Sequence, residues 1–153
     1  MTRASAVTAL VVTSLVSAIP GAAWAEQSTP AVDQAARIVA RALAEAVTAG
    51  NAEAAAALCA KPANLEGEVV TTAEAVRERW AEVLRRDDLR GLRLQNIELL
   101  TLEEAIERHG PPPARLGVLE PTTLVAIIRW DRSMLVALLA RRDDRWTVIA
   151  VTD

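Results

Sequence analysis

The end of the chain decides the fold: residues 123–152 read TLVAIIRWDRSMLVALLARRDDRWTVIAVT. Three runs of apolar and β-branched residues are separated by the short polar stretches DRS and RDD. Such runs, interrupted by turn-forming residues, are typical of strands in an antiparallel meander. We predict three strands, at 123–130, 134–141 and 145–152.

Alternation along these strands predicts that both faces of the sheet are covered. One set of alternate residues lacks any charge, and we expect it to face the helices. The opposite face carries Arg129, Arg141 and Arg145 near the strand ends but apolar side chains between them. A sheet with one solvated face alternates more cleanly than this. The uncharged set is Leu124, Ala126, Ile128, Trp130, Met134, Val136, Leu138, Ala140, Trp146, Val148 and Ala150.

Two different groups of residues could cover the second face of the sheet. A large exposed apolar patch usually marks an interaction surface, so we expect a homodimer that forms through this face of the sheet. Alternatively, the segment TLEEAIERHGPPP at 101–113 folds back over the face. In that segment Thr101 and Glu104 form a capping box for a short inserted helix, which ends at His109 with Gly110 as its stop.

The strand before this segment changes parity part-way. Its four apolar side chains lie on one side of the sheet only if a β-bulge near Gln95 and Asn96 adds an extra residue. Since bulges bend strands, we expect a curved sheet. The four side chains are Leu92, Leu94, Ile97 and Leu99.

The first half of the chain has the pattern of helices. Thr29 caps an amphipathic helix with Pro30 at its first position, and Gly50 ends it. Asn51 caps a short alanine-rich helix, which we expect Pro62 to end. The predicted fold class is therefore α+β, with N-terminal helices packed on a curved, mostly antiparallel sheet. A third helix buries the stripe Val76, Trp80, Val83 and Leu84.

Residues 1–25 have the order of a secretory signal peptide. Arg3 precedes an apolar stretch at 6–19, and Ala23 and Ala25 make a small-x-small cleavage site. The stretch is shorter than the ~17–25 residues of a membrane span. We predict cleavage before Glu26, a single domain at 26–153, export to the periplasm or exterior, and no membrane span after cleavage.

Composition excludes several classes of function. The 153 residues are 52% hydrophobic with a net charge of -3, which excludes intrinsic disorder and a strongly basic nucleic-acid binder. One histidine and one cysteine make a metal site improbable on chemical grounds, and the sequence has no phosphate-binding loop. We therefore predict no metal and no cofactor. Cys59 is expected to be an inert buried thiol.

Taken together, these elements resemble the nuclear transport factor 2-like superfamily, which includes SnoaL-like polyketide cyclases and ketosteroid isomerases. Three stretches carry the resemblance: AVTAGNAEAAAAL, GEVVTTAEAVRERWAEVL and VALLARRDDRWTVIAVTD. The resemblance implies a cone-shaped, cystatin-like domain with a pocket between helices and concave sheet, and a tendency to dimerise through the sheet. The insertion at 101–113 departs from the pattern, and no catalytic residue of the family matches here.

Two classes of function remain. The first is a non-catalytic module that binds a small apolar ligand or a partner protein, with Trp80, Trp130 and Trp146 lining the cavity. The alternative role for these tryptophans is simply to fill the core, where each indole N–H needs a hydrogen-bond acceptor. We favour binding or self-association over catalysis.

The second class is a cofactor-independent acid–base enzyme, an isomerase, dehydratase or cyclase. It requires an inward carboxylate or histidine, and the weak candidates are His109, Glu66, Glu68 and Asp131. Each also has a structural explanation: helix end for His109, an exposed edge strand at 65–70 for the glutamates, and a turn for Asp131.

Overall fold

The computed structural model describes residues 30–153 as four α-helices and a six-stranded sheet. The predicted signal peptide and the Thr29 cap lie outside these residues. The helices are α1 (Pro30–Thr48), α2 (Ala52–Ala57), α3 (Ala73–Val83) and α4 (Leu102–His109). The strands are β1 (Cys59–Leu65), β2 (Glu68–Val70), β3 (Leu94–Thr101), β4 (Leu124–Trp130), β5 (Met134–Arg142) and β6 (Arg145–Thr152).

The strands lie in the order β2-β1-β6-β5-β4-β3. Every neighbouring pair is antiparallel except β1 and β6, which run parallel. The helices α1, α2 and α3 lie on one face of this sheet, and α4 lies on the other. The predicted α+β class, the meander and the inserted helix are confirmed.

The predicted bulge is present in β3. Leu94 lies opposite Trp130 and Asn96 lies opposite Arg129, so Gln95 is the extra residue. Ile97 and Leu99 therefore pack with Leu92 and Leu94 against the helices, as the change of parity predicts.

The expected end of the second helix at Pro62 is wrong. The helix ends at Ala57, and residues 59–65 form β1, which lies beside β6. The β1–β6 register shifts between Cys59 and Asn64, on either side of Pro62. Proline has no N–H for a regular ladder, so an irregular stretch of strand is where a sheet accepts it. Alanine-rich composition predicted the helix one turn too far.

The expected faces of the meander are partly wrong. Ile128 lies opposite Leu135, and Ala126 opposite Ala137, so odd-numbered residues of β5 point toward the helices. Cross-strand partners share a face, and the turn at 131–133 sets this register. The outward residues of β5 thus include three assigned inward by alternation alone: Met134, Val136 and Leu138.

A second shift in register lies between β5 and β6, where Leu138 pairs with Ala150 and Leu139 with Val148. Ala150 consequently faces outward, and Val151 faces the helices. Among the described residues, the helix-facing set of the meander still has no ionisable side chain. It comprises Ala126, Ile128, Trp130, Leu135, Ala137, Leu139, Val148 and Val151.

The outer face of the sheet is covered by the chain itself. Ala105 of α4 and Leu116 pack against the outward side chains of β4, β5 and β6. Leu116 belongs to residues 110–119, which we call the strap, and which crosses the face from α4 toward β6. Of the two covers that the sequence left open for this face, the structure shows the inserted segment folding back over it. A dimer through this face stays a prediction.

Trp80 is the largest fully buried side chain, at 1% exposure, and Trp146 is half-buried at the edge of the same cluster. We expect Trp80→Ala to lower the free energy of unfolding by about 3–5 kcal/mol, because it leaves a large cavity. Trp146→Ala should cost clearly less. Urea unfolding followed by circular dichroism measures both, and equal losses would contradict this packing.

Candidate functional site

Side chains fill the space between helices α1–α3 and the inner face of the sheet. Two cavities of about 20 and 10 Å³ remain beside Trp80 and Val83. The larger has room for about one water molecule, since a water needs ~10–15 Å³ by this measure. A ligand does not fit there without displacing the core.

The buried tryptophans use their indole nitrogens within the protein. Trp80 Nε1 donates to Cys59 Sγ at 3.3 Å, and Trp130 Nε1 donates to Thr48 Oγ1 at 3.0 Å. Trp146 packs against the same core cluster. These positions match the core role that was the alternative to a ligand-lining one.

Cys59 is buried, as expected, and its thiol donates to the Ala55 carbonyl at 3.4 Å. Burial raises the pKa of the thiol to about 11, a shift that the hydrogen bond from Trp80 only partly opposes. The thiol thus stays protonated near neutral pH and is a poor nucleophile.

Glu66 and Glu68 both form ion pairs with arginine. Glu66 lies in the turn between β1 and β2, 3.3 Å from Arg79 and 3.5 Å from Arg86. Arg79 also contacts Glu68 at 3.6 Å and Glu82 at 2.7 Å. The cluster joins the first hairpin to α3, a role for these carboxylates that requires no substrate.

Asp131 has a structural role in the turn between β4 and β5. Its carboxylate accepts a hydrogen bond from the Arg93 backbone N–H at 3.1 Å. Its own N–H donates to the Arg93 carbonyl at 3.0 Å. This reciprocal pair fixes the end of the hairpin next to the residue before β3.

A ligand-sized space lies instead on the outer face of the sheet, under α4 and the strap. This groove has a volume of about 280 Å³. Its floor is apolar and consists of outward side chains of β4 and β5: Val125, Ile127, Val136 and Leu138. Its volume is near the lower end of the ~300–1,000 Å³ typical of small-molecule sites.

The roof of the groove is formed by α4 and the start of the strap. Ile106, Leu116 and Pro111–Pro113 face the floor. At the mouth lie His109, Arg129, Met134 and Asp153. Ile106 and Met134 are exposed apolar side chains, at 40% and 45%, which a bound molecule would shield from water.

Both ends of the roof are anchored. Thr101 accepts from the Glu104 N–H at 3.2 Å, and the Glu104 carboxylate accepts from the Thr101 N–H at 2.9 Å, the predicted capping box. These hydrogen bonds from Thr101 lower the pKa of Glu104. At the far end, the Arg115 guanidinium donates to Thr152 Oγ1, and Asn64 donates to the Arg115 carbonyl at 2.8 Å. The groove is therefore built into the fold.

Other depressions on the surface are more polar. One of about 890 Å³ near β1 and β6 is lined by four charged side chains, and one of about 470 Å³ along α3 by five. The charged residues are Lys61, Arg142, Asp143 and Arg145 in the first, and Glu68, Glu78, Arg79, Glu82 and Arg85 in the second. The groove under the strap combines an apolar floor with an apolar roof, so it is the better candidate site.

Of the four acid–base candidates, the structure places His109 at the groove. The sequence could not reveal the groove itself, because its floor combines two strands whose faces depend on the hairpin register. The sequence did not predict Arg129 as a site residue, because an arginine near a strand end has a plain structural explanation.

No family model matches the sequence, and no curated protein matches it either. Solved structures do match. A protein of unknown function with a cystatin-like fold, from Nostoc punctiforme, has a TM-score of 0.51 at 12% identity. That match covers 80% of this chain and 90% of the other. A domain of unknown function from the same organism, also cystatin-like, gives 0.50 at 14% identity over 81% and 76%.

The chain has a cystatin-like fold. A protein from Shewanella oneidensis described as NTF-2 like is also similar, with a TM-score of 0.48 at 14% identity over 78% of this chain and 96% of that one. At such low identities the likeness shows the fold alone. The two matches from Nostoc punctiforme confirm the cystatin-like fold that the superfamily resemblance implied.

Within residues 30–153, no group of three or more histidine, cysteine or acidic side chains is arranged to hold a metal ion. No helix in the same range is long and apolar enough to span a membrane.

The buried state of Cys59 gives a chemical test of the filled core. With a pKa of about 11, roughly one thiol in a thousand is ionised at pH 8. We expect a disulfide reagent such as DTNB to label native Cys59 at least about a hundredfold more slowly than the unfolded chain. In a Val69→Cys variant, the new exposed thiol should react at once and serve as the control. Rapid labelling of native Cys59 would contradict the closed core.

Proposed function

We propose that this cystatin-like domain is an exported binding module that holds a small apolar ligand in the groove under the strap and performs no chemistry on it. The observation that carries the proposal is the contrast between the two faces of the sheet. The helix-covered side is filled by the core, whereas the outer side has an apolar floor, a roof and an open mouth.

Burial of apolar surface is what the groove offers a ligand. Its volume of about 280 Å³ is large enough for a small organic molecule. Removal of apolar surface from water contributes about 0.8 kcal/mol per buried CH₂. A compact molecule with a short hydrocarbon chain thus suits the groove, and exposed Ile106 and Met134 at the mouth would extend its contact.

The acid–base alternative has weaker support. Glu66, Glu68 and Asp131 lie outside the groove and have partners in the structure. His109 lies at the mouth, but the floor beneath it is formed by apolar side chains. An isomerase, dehydratase or cyclase needs a base or acid within hydrogen-bond reach of the reacting atom. His109 is the residue through which such activity would act.

A matched pair of substitutions tests the location of the ligand site. Val136→Phe fills the groove floor, whereas Val69→Phe makes the same change on an exposed position of β2. We expect 1-octanol to bind the unmodified domain in a saturable 1:1 manner by isothermal titration calorimetry. Val136→Phe should weaken this binding at least about tenfold, because overpacking removes the space, and Val69→Phe should leave it unchanged.

Unchanged binding in Val136→Phe would place the site elsewhere. Absence of saturable binding to the unmodified domain would remove the groove as an apolar ligand site.

Export and self-association complete the proposal. A chain with a cleaved signal begins its mature form at Glu26, and a single cysteine leaves the domain to be stabilised by its core alone. Val118 on the strap is fully exposed, which gives a second copy or a partner protein an apolar contact. A dimer through the outer face would therefore contact the strap as well as the sheet.

Native mass spectrometry of the protein expressed with its N-terminal segment tests both points. The expected mass is that of a chain beginning at Glu26, and a mass that retains residues 1–25 would contradict cleavage. A dimer at micromolar concentration would support self-association, whereas monomer alone would remove it.

A further inference from the structure

We propose that the groove selects amphipathic anions, with an unbranched hydrocarbon chain on the floor and a carboxylate at Arg129. This inference rests on the proposed function and names the class of its ligand: linear monocarboxylates of about eight carbons, which are small enough for a groove of about 280 Å³.

Arg129 lies in line with the apolar floor of the groove. In β4, Val125 and Ile127 point into the groove, and Arg129 follows on the same face two residues later. Side chains two residues apart in a strand lie about 6–7 Å from each other. The guanidinium side chain is therefore at the open end of a continuous apolar floor, where the head of a linear molecule would lie.

The positive charge of Arg129 is available to a ligand. Arg129 is exposed and has no ion pair or side-chain hydrogen bond with residues 34–153. Nearby arginines behave differently: Arg108 pairs with Glu98 at 2.8 Å, and Arg86 with Asp153 at 3.2 Å. An unengaged guanidinium next to an apolar floor is a ready donor for a carboxylate, which it can bind with two hydrogen bonds.

The other charged and polar groups at the mouth are compatible with an anion. Asp153 is the acidic side chain there, and the guanidinium of Arg86 contacts its carboxylate. His109 lies at the C-terminal end of α4 and adds ring N–H donor capacity. A carboxylate at Arg129 thus meets donors on the sheet and on the roof.

The test compares octanoate with 1-octanol, which share a chain and differ in the charged head. By calorimetry at low salt we expect octanoate to bind about tenfold more tightly. Arg129→Gln should remove this preference, so that the variant binds octanoate no more tightly than it binds 1-octanol. Arg129→Lys should keep part of it, because the charge remains but the planar fork is lost.

Arg145→Gln is the matched control, since Arg145 is an exposed arginine of the same sheet that does not line the groove. It should not alter either affinity. Chain length gives an independent readout: hexanoate should bind more weakly than octanoate by about fourfold per missing methylene, if each is buried on the floor.

Equal affinities for octanoate and 1-octanol, or a preference for octylammonium, would overturn the proposed class and leave the groove as an apolar site. An octanoate preference that survives Arg129→Gln would likewise overturn it. Failure of 1-octanol itself to bind in a manner sensitive to Val136→Phe would instead overturn the proposed function. Circular dichroism of each variant verifies that the domain is folded.

Discussion

The central strands of the sheet are apolar on both faces, and the rest of the structure follows from the need to cover both. The outward residues Val125 and Ile127 of β4 would expose hydrocarbon to water if the sheet had helices on one side only. Burial of such surface is the dominant favourable term in folding. Helices α1–α3 cover the inner face, while α4 and the strap cover the outer one.

The two covers differ in how closely they fit. On the inner face, large side chains such as Trp80 and Trp130 fill the space, and their indole N–H groups donate to acceptors within the protein. On the outer face, a short helix and a proline-rich strap reach across the sheet from anchors at each end. Residues 111–113 are proline, which fixes the backbone dihedral φ and limits how far the strap can collapse onto the sheet. The remaining space is the groove, so the ligand site that we propose lies opposite the pocket that the superfamily resemblance implied.

Local patterns in the sequence predicted much of the fold. The capping box at Thr101, the Asn51 cap, the bulge at Gln95 and the three strands of the meander depend on neighbours in sequence, and the structure has them. The face assignment of β5 failed because it depends on the register across a turn, which alternation within one strand does not specify. The strand at 59–65 was missed because its pairing with β6 joins distant parts of the chain. The groove could not be predicted for the same reason, because Ile106, Ile127 and Val136 come together only in the folded domain.

The ligand site that we propose lies on the outer face of the sheet, under the strap. Amide chemical-shift mapping by NMR, with ¹⁵N-labelled protein titrated with 1-octanol, locates the bound molecule on one face or the other. We expect the largest shifts in residues 106–110, 127–129 and 134–138, with α1 and α3 unaffected. Shifts centred on α3 and the surroundings of Trp80 would instead show that the ligand enters between helices and sheet, and would rule out the groove as its site.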